Sequence, residues 1–224
     1  METITERKQI QAVRQPLPRW LALCAGAGHI LFTLSWILLG FLSPGFTMFG
    51  IVIVPYSAIA TPISGLGLGL TGPFMKVAFV GSGLLVLVGV VGIFHCFPEL
   101  SSAGRWSCIV LFALSPLGMV MDGLFTIESF LPHMSGYLLA AGTPVLSFLT
   151  LGLQLRQHPS WSPVGSGLVL ASPLTLFLLM LSLVTFDQTA VISGHGIAGL
   201  TERILCLELA TVFTALSWLA YRHA

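Results

Sequence analysis

Residues 43–72 read SPGFTMFGIVIVPYSAIATPISGLGLGLTG. The stretch holds no Asp, Glu, Lys, Arg or His, but six glycines and three prolines. So many breakers exclude one long helix, and so apolar a segment is unlike an ordinary surface loop. It reads as a folded lid or re-entrant piece over the mouth of a helix bundle. Whether that bundle holds a pocket turns on it.

On either side of this stretch the chain is strongly apolar. Charged residues make up 8% of the 224, against roughly 25% in an ordinary soluble domain. Mean hydropathy is +0.96. Too few polar side chains exist to cover a water-facing surface, and a bilayer removes that need. Six apolar runs stand out, over about 20–42, 73–97, 106–127, 133–155, 164–186 and 201–221. At about 1.5 Å of rise per residue each spans a hydrocarbon core of roughly 30 Å. The first is too long for a secretory leader. No run shows the alternation of a membrane β-barrel strand. The expected fold is an all-α integral membrane bundle of six helices, carrying an apolar Gly/Pro-rich outer lid between helices 1 and 2. Residues 1–19 form a polar tail ahead of it.

The basic residues set the orientation. Six crossings place Arg7, Lys8, Arg14, Arg19, Arg105, Arg156 and Arg222 on one side, and Lys76 and Arg203 towards the other. The positive-inside rule then makes both termini cytoplasmic in a multi-pass protein of the cell membrane. Net charge is +1, which leaves no nucleic-acid footprint. Cys24, Cys96, Cys108 and Cys206 share no CxxC spacing and read as small buried residues, with a Cys96–Cys108 contact open.

Several polar residues fall within or beside the apolar runs. Glu208 is placed near the middle of the last span, where an acid is costly and faces protein or water. On helical spacing it shares a face with Thr201, Thr211 and Ala215, expected to look inward. It is either a proton donor or ligand anchor, or a hydrogen-bonded acid that joins helices. His29, within Ala25-Gly26-Ala27-Gly28-His29, lies at similar depth and could pair with it, or act as a packing donor. Glu202 suits a helix N-terminus. Arg203 and Lys76 each need an acid, with Asp122 and Asp187 in reach, which suggests an outer ion-pair network. Alternatively the two cations form an anionic headgroup site beneath the lid. Trp36 is the one tryptophan away from a span end, and Ser64, Gly65 and Gly67 are lid positions able to meet a ligand. Asp122, Glu128, His133, Asp187, His195 and Glu202 have the right chemistry for a metal, but no HExxH or similar spacing supports one. No motif calls for a cofactor: Walker, nucleophile-elbow and dinucleotide patterns are missing from the sequence.

The segments Gly40-Phe41-Leu42-Ser43-Pro44-Gly45, Ile63-Ser64-Gly65-Leu66-Gly67 and Phe74-Met75-Lys76-Val77-Ala78-Phe79 form one pattern with Gly196-Ile197-Ala198-Gly199-Leu200-Thr201-Glu202-Arg203. It resembles the six-span prokaryotic membrane family catalogued as domain of unknown function 998, over nearly the whole chain. Lys76 stands where that pattern has Asn. The resemblance implies a six-span fold and carries over no catalytic residue.

Three functions fit. One is binding or transport of a lipid-like or apolar small molecule in a pocket open to the outer side, using Lys76, Arg203, Glu202, Ser64, Gly65, Gly67 and Trp36. Another is an integral membrane enzyme of isomerase or cyclase type, with Glu208, Asp122 and His29 in acid–base roles. The third is an accessory subunit whose partner is another membrane protein. Membrane lipids are partners in all three. The topology is checked by labelling single cysteines in intact cells. Cysteines at Ser57 and Ser193 are expected to react from outside, and those at Ser102 and Ser160 only after permeabilisation; the reverse pattern inverts the orientation.

Overall fold

The computed structural model describes residues 19–97 and 100–223. The tail residues Arg7, Lys8 and Arg14, and the turn at Pro98, lie outside them. Six stretches are long and apolar enough to cross a membrane: Arg19–Leu42, Gly69–His95, Ser102–Leu124, Phe130–Leu155, Ser162–Thr185 and Ala198–His223. Within them we number α1 (Leu23–Leu42), α2 (Gly72–His95), α3 (Ser102–Leu124), α4 (Phe130–Tyr137), α5 (Thr143–Leu155) and α6 (Ser162–Thr185). A short α7 (Gln188–Ser193) precedes the long α8 (Ala198–His223).

Two starts are earlier than hydropathy suggests. The polar run before Trp106 is the first turn of α3, capped by Ser101, whose Oγ accepts from the Gly104 amide at 3.1 Å. Pro132 lies in the first turn of α4, where no helical hydrogen bond is lost. The fourth span is not one uniform helix either. Between α4 and α5, Leu138–Gly142 is wound as a π-helix, which displaces carbonyls from regular bonding. The Ala140 carbonyl accepts from Ser115 Oγ on α3 at 2.7 Å.

The spans pack in chain order as a closed ring: α1 on α2, α2 on α3, α3 on α4 and α5, α5 on α6, α6 on α8, and α8 on α1. Arg19 lies over the Tyr221 ring at 5.1 Å, so the two ends of the described chain meet at one end of the ring, termed the terminal end. Phe94, Phe112, Phe148 and Phe213 fill the interior there, with neighbouring ring centroids 5.1 to 5.9 Å apart. Trp161 is buried in this cluster, edge-on to Phe97. Cys96 and Cys108 are buried nearby as free thiols. The outer faces of the ring present leucine, valine and phenylalanine, as lipid contact requires.

The stretch 43–72 occupies the opposite end and contains strand as well as turns. β1 (Phe46–Met48) and β2 (Ile51–Ile53) pair antiparallel, with Phe46 opposite Ile53 and Met48 opposite Ile51. Phe49 and Gly50 join them with φ of 48° and 79°. Two positive φ values are the mark of a type I′ hairpin turn. The spans are helical as expected, and the connection adds a short strand pair to the all-α fold that was expected. From Ala60 to Leu68 every residue is buried. This run includes a 3-10 turn, Ile63–Gly67, that packs against α1, α2 and α8.

Small residues let α1 and α2 approach closely. Ala25 and Ala22 lie against Gly89 and Gly92, where no Cβ could be accommodated. Ser217 Oγ accepts from the Gly26 amide and donates to the Ala22 carbonyl, both at 2.8 Å, which joins α8 to the same seam. Gly89→Ala is therefore expected to lower stability by about 1–3 kcal/mol through overpacking. Gly81→Ala, at a position with open space, should be neutral or gain up to about 1 kcal/mol of helix propensity. Thermal unfolding in detergent checks the pair.

Candidate functional site

The end of the ring opposite the aromatic cluster is hollow. Two adjoining cavities, of about 50 and 160 Å³, share Ser64, His133, Tyr137 and Glu202 in their walls. The deeper one, here the chamber, reaches His29, Ser115, Asp122 and Cys206. The shallower one runs past Phe130 and Phe186. Most of the wall is apolar, with Phe32, Phe79, Met119 and Leu209 in the chamber.

Each polar group is held by a particular local device. Asp122 sits in the last turn of α3, against Gly136 of α4, where any side chain would collide with its carboxylate. His133, one turn earlier on α4, brings Nδ1 to 3.3 Å from Asp122 Oδ1. The same nitrogen is 3.0 Å from the Phe125 carbonyl. A carbonyl only accepts, so Nδ1 carries a proton and Nε2 is the variable position. This is the one acid–imidazole pair among the described residues. Tyr137 is tied to Ser182 of α6 at 2.7 Å. Glu202, in the first turns of α8, accepts from the Ile63 amide at 2.7 Å. His29 is buried in α1 and stacks on Phe213, with centroids 4.7 Å apart. Its Nε2 has no hydrogen-bond partner.

Arg203 follows Glu202 but points elsewhere. Nη1 donates to the carbonyls of Ala58, Thr61 and Gly199 at 2.7, 2.9 and 2.7 Å, and Nη2 donates to Tyr56 Oη. Its guanidinium lies 5.4 Å from the Trp36 ring centroid. Burial pushes the Tyr56 hydroxyl above its ordinary pKa, against the opposing pull of the Arg203 charge. The outer ion-pair network is thus corrected: the two Nη groups of Arg203 go to backbone carbonyls and a phenol, and only its Nε lacks a partner. Lys76 is exposed on α2. It takes part in no ion pair among the described residues, and it does not line the chamber.

The last helix also turns a different face inward than expected. Thr211 and Ala215 are exposed and line an outward groove with Ile30 and Leu34. The buried stripe instead runs Glu202, Leu205, Leu209, Phe213, Leu216 and Ala220. Glu208 lies between α6 and α8, where Oε1 meets Thr175 Oγ1 at 3.0 Å, and it lines neither cavity. Its expected pairing with His29 is not formed. Of the acid–base candidates, Asp122 and His29 share the chamber, and Glu208 does not. Of the ligand candidates, Glu202 and Ser64 line it. Gly65 and Gly67 are buried beside Ser64 in the 3-10 turn, and Trp36 and Arg203 face a separate outer crevice. Tyr137, Ser115 and Cys206 were not singled out by sequence. Cys206 follows Glu202 by four residues, so the helical period starting from Glu202 finds it.

No family model matches the chain, and no curated protein or solved structure is significantly similar to it.

Arg203→Ala would orphan the loop carbonyls of Ala58 and Thr61 and the Tyr56 hydroxyl. Each buried group left unpaired costs roughly 1–3 kcal/mol. Arg222, exposed at the terminal end, has only a 6.0 Å approach to Trp218. Arg203→Ala should therefore unfold well below Arg222→Ala in a detergent melt; coincident transitions would show that the loop does not depend on Arg203.

Proposed function

We propose that this polytopic membrane protein binds, and in transport passes on, a lipid-like or apolar small molecule held in the chamber. The supporting observation is an apolar cavity with a few convergent polar groups, the usual make-up of a small-molecule site. In this reading the buried run Ala60–Leu68 is the lid. Ser64 faces the ligand from above, and the passage beside Phe130 and Phe186 is the way in. The loop end lies outside the cell and both termini are cytoplasmic, as the basic residues favour. Six spans in one ring also agree with the resemblance to the domain-of-unknown-function-998 family, and we propose membership of it.

A second reading is favoured by the Asp122–His133 contact. A carboxylic acid and an imidazole 3.3 Å apart in one cavity wall can relay a proton, the requirement for an acid–base enzyme acting on a membrane-dissolved substrate. Asp122→Asn tests this second reading: it removes the acid and should abolish turnover in the enzyme, and unchanged turnover would sink the reading.

Ala141 is buried in the chamber wall. Ala141→Leu is expected to fill the space and remove any small molecule that co-purifies with the wild-type protein. Native mass spectrometry after release from nanodiscs reads this directly. The same bound species in both proteins, with folding unchanged, would place the ligand elsewhere.

A further inference from the structure

Several of the chamber's polar groups offer acceptors to a guest, beside the Ser64 and Tyr137 hydroxyls and the Cys206 thiol, which can donate. Ser115 gives its proton to the Ala140 carbonyl, so only oxygen lone pairs remain for a ligand. His133 directs its Nδ1 proton to the Phe125 carbonyl. Asp122 Oδ1 consequently has only the 3.3 Å approach of that nitrogen and no hydrogen-bond partner. Glu202 has one carboxyl oxygen engaged by the Ile63 amide. Two of these groups are more than nine-tenths buried and still lack a partner: Asp122 is 8% exposed and His29 is 5% exposed. Buried polar atoms are ordinarily paired, so unfilled ones in a cavity wall mark where a guest's atoms belong.

The charges agree with this count. Two carboxyl groups line the chamber, and no lysine or arginine does. The nearest guanidinium, that of Arg203, is committed to the loop carbonyls outside it. An anionic head would meet two acids and no permanent cation. An alcohol would bring one donor and leave a buried carboxylate without a counter-charge, which is costly. An ammonium group brings the charge and up to three donors together, and charge-assisted hydrogen bonds are the stronger kind. Phe32, Phe79 and Tyr137 add aromatic rings to the same wall, and such faces attract cations.

We propose that the chamber takes the ammonium head of a small amphiphilic amine, held between Asp122 and Glu202, with its apolar tail in the passage beside Phe130 and Phe186. This rests on the reading of the chamber as a ligand site, and it names the chemistry of the ligand.

Tritiated n-octylamine binding to the protein in nanodiscs, with n-octanol and n-octanoate as competitors, tests the proposal. The amine should bind saturably, octanol should displace it at least tenfold less well than unlabelled octylamine, and octanoate should not displace it. Asp122→Asn and Glu202→Gln should each weaken amine binding tenfold or more. Asp187→Asn, at the exposed cap of α7, should leave it unchanged. The head-group series uses the wild-type protein, so it stands even if a variant fails to fold. If octanol displaces the amine as well as octylamine does, or if both carboxamide variants bind as wild type, the amine assignment is overturned and the apolar site survives. If none of the three probes binds saturably, the ligand-site reading fails and the amine assignment falls with it.

Discussion

Backbone that leaves regular structure and is buried has no water to satisfy it and must find its partners in the protein. The run Ala60–Leu68 is in that position, and two consecutive residues of α8 meet its needs. Glu202 takes the Ile63 amide, and Arg203 takes the carbonyls of Ala58 and Thr61. A carboxylate can only accept and a guanidinium can only donate, so the adjacent pair supplies both halves of what a turn exposes. Opposite charges side by side also limit the cost of burying either. This pair fastens the buried run to the last helix.

The rest of the ring differs between its two ends. At the terminal end, alanine and glycine draw α1, α2 and α8 together and phenylalanines fill the centre. At the other end the helices are held apart. The π-helical turn swells the fourth span where it faces Ser115, and the inserted loop keeps α1, α2 and α8 from closing. Packing thus changes from dense to hollow along one axis, and the polar side chains gather in the hollow half.

The spans were legible because a run of about twenty apolar residues has one physical outcome in a bilayer. The unusual nature of residues 43–72 was legible from Gly and Pro content alone. The hairpin was not, since β1 and β2 have three residues each and only Gly50 signals the turn. The site was half legible. Asp122 and His29 stood out as polar residues in apolar spans, and both line the chamber. Glu208 stood out for the same reason, but depth does not reveal which way a side chain points. Thr201 and Glu202 are one residue apart and begin different stripes, and only packing of α8 against α1 and α6 decides which stripe turns inward. Arg203 was expected to need an acid because charge is visible in sequence, whereas two carbonyls converging from a folded loop are not.

The closed ring also carries an order of assembly. Five of its six helix-to-helix seams join neighbours along the chain, so they can form as each span emerges and enters the membrane. The sixth, α8 on α1, joins segments about 190 residues apart, latched by Ser217 on Gly26 and Ala22. Glu202 and Arg203 arrive on that same last helix. Residues 43–71 are synthesised early, and their amide and carbonyl groups stay unpaired by these two side chains until the final span docks. Insertion of α8 is then a single closing step that seals the seam and seats the loop together. A chain truncated before Ala198 would leave a pre-assembled five-span arc with an unseated connection, the form a quality-control protease in the membrane would recognise.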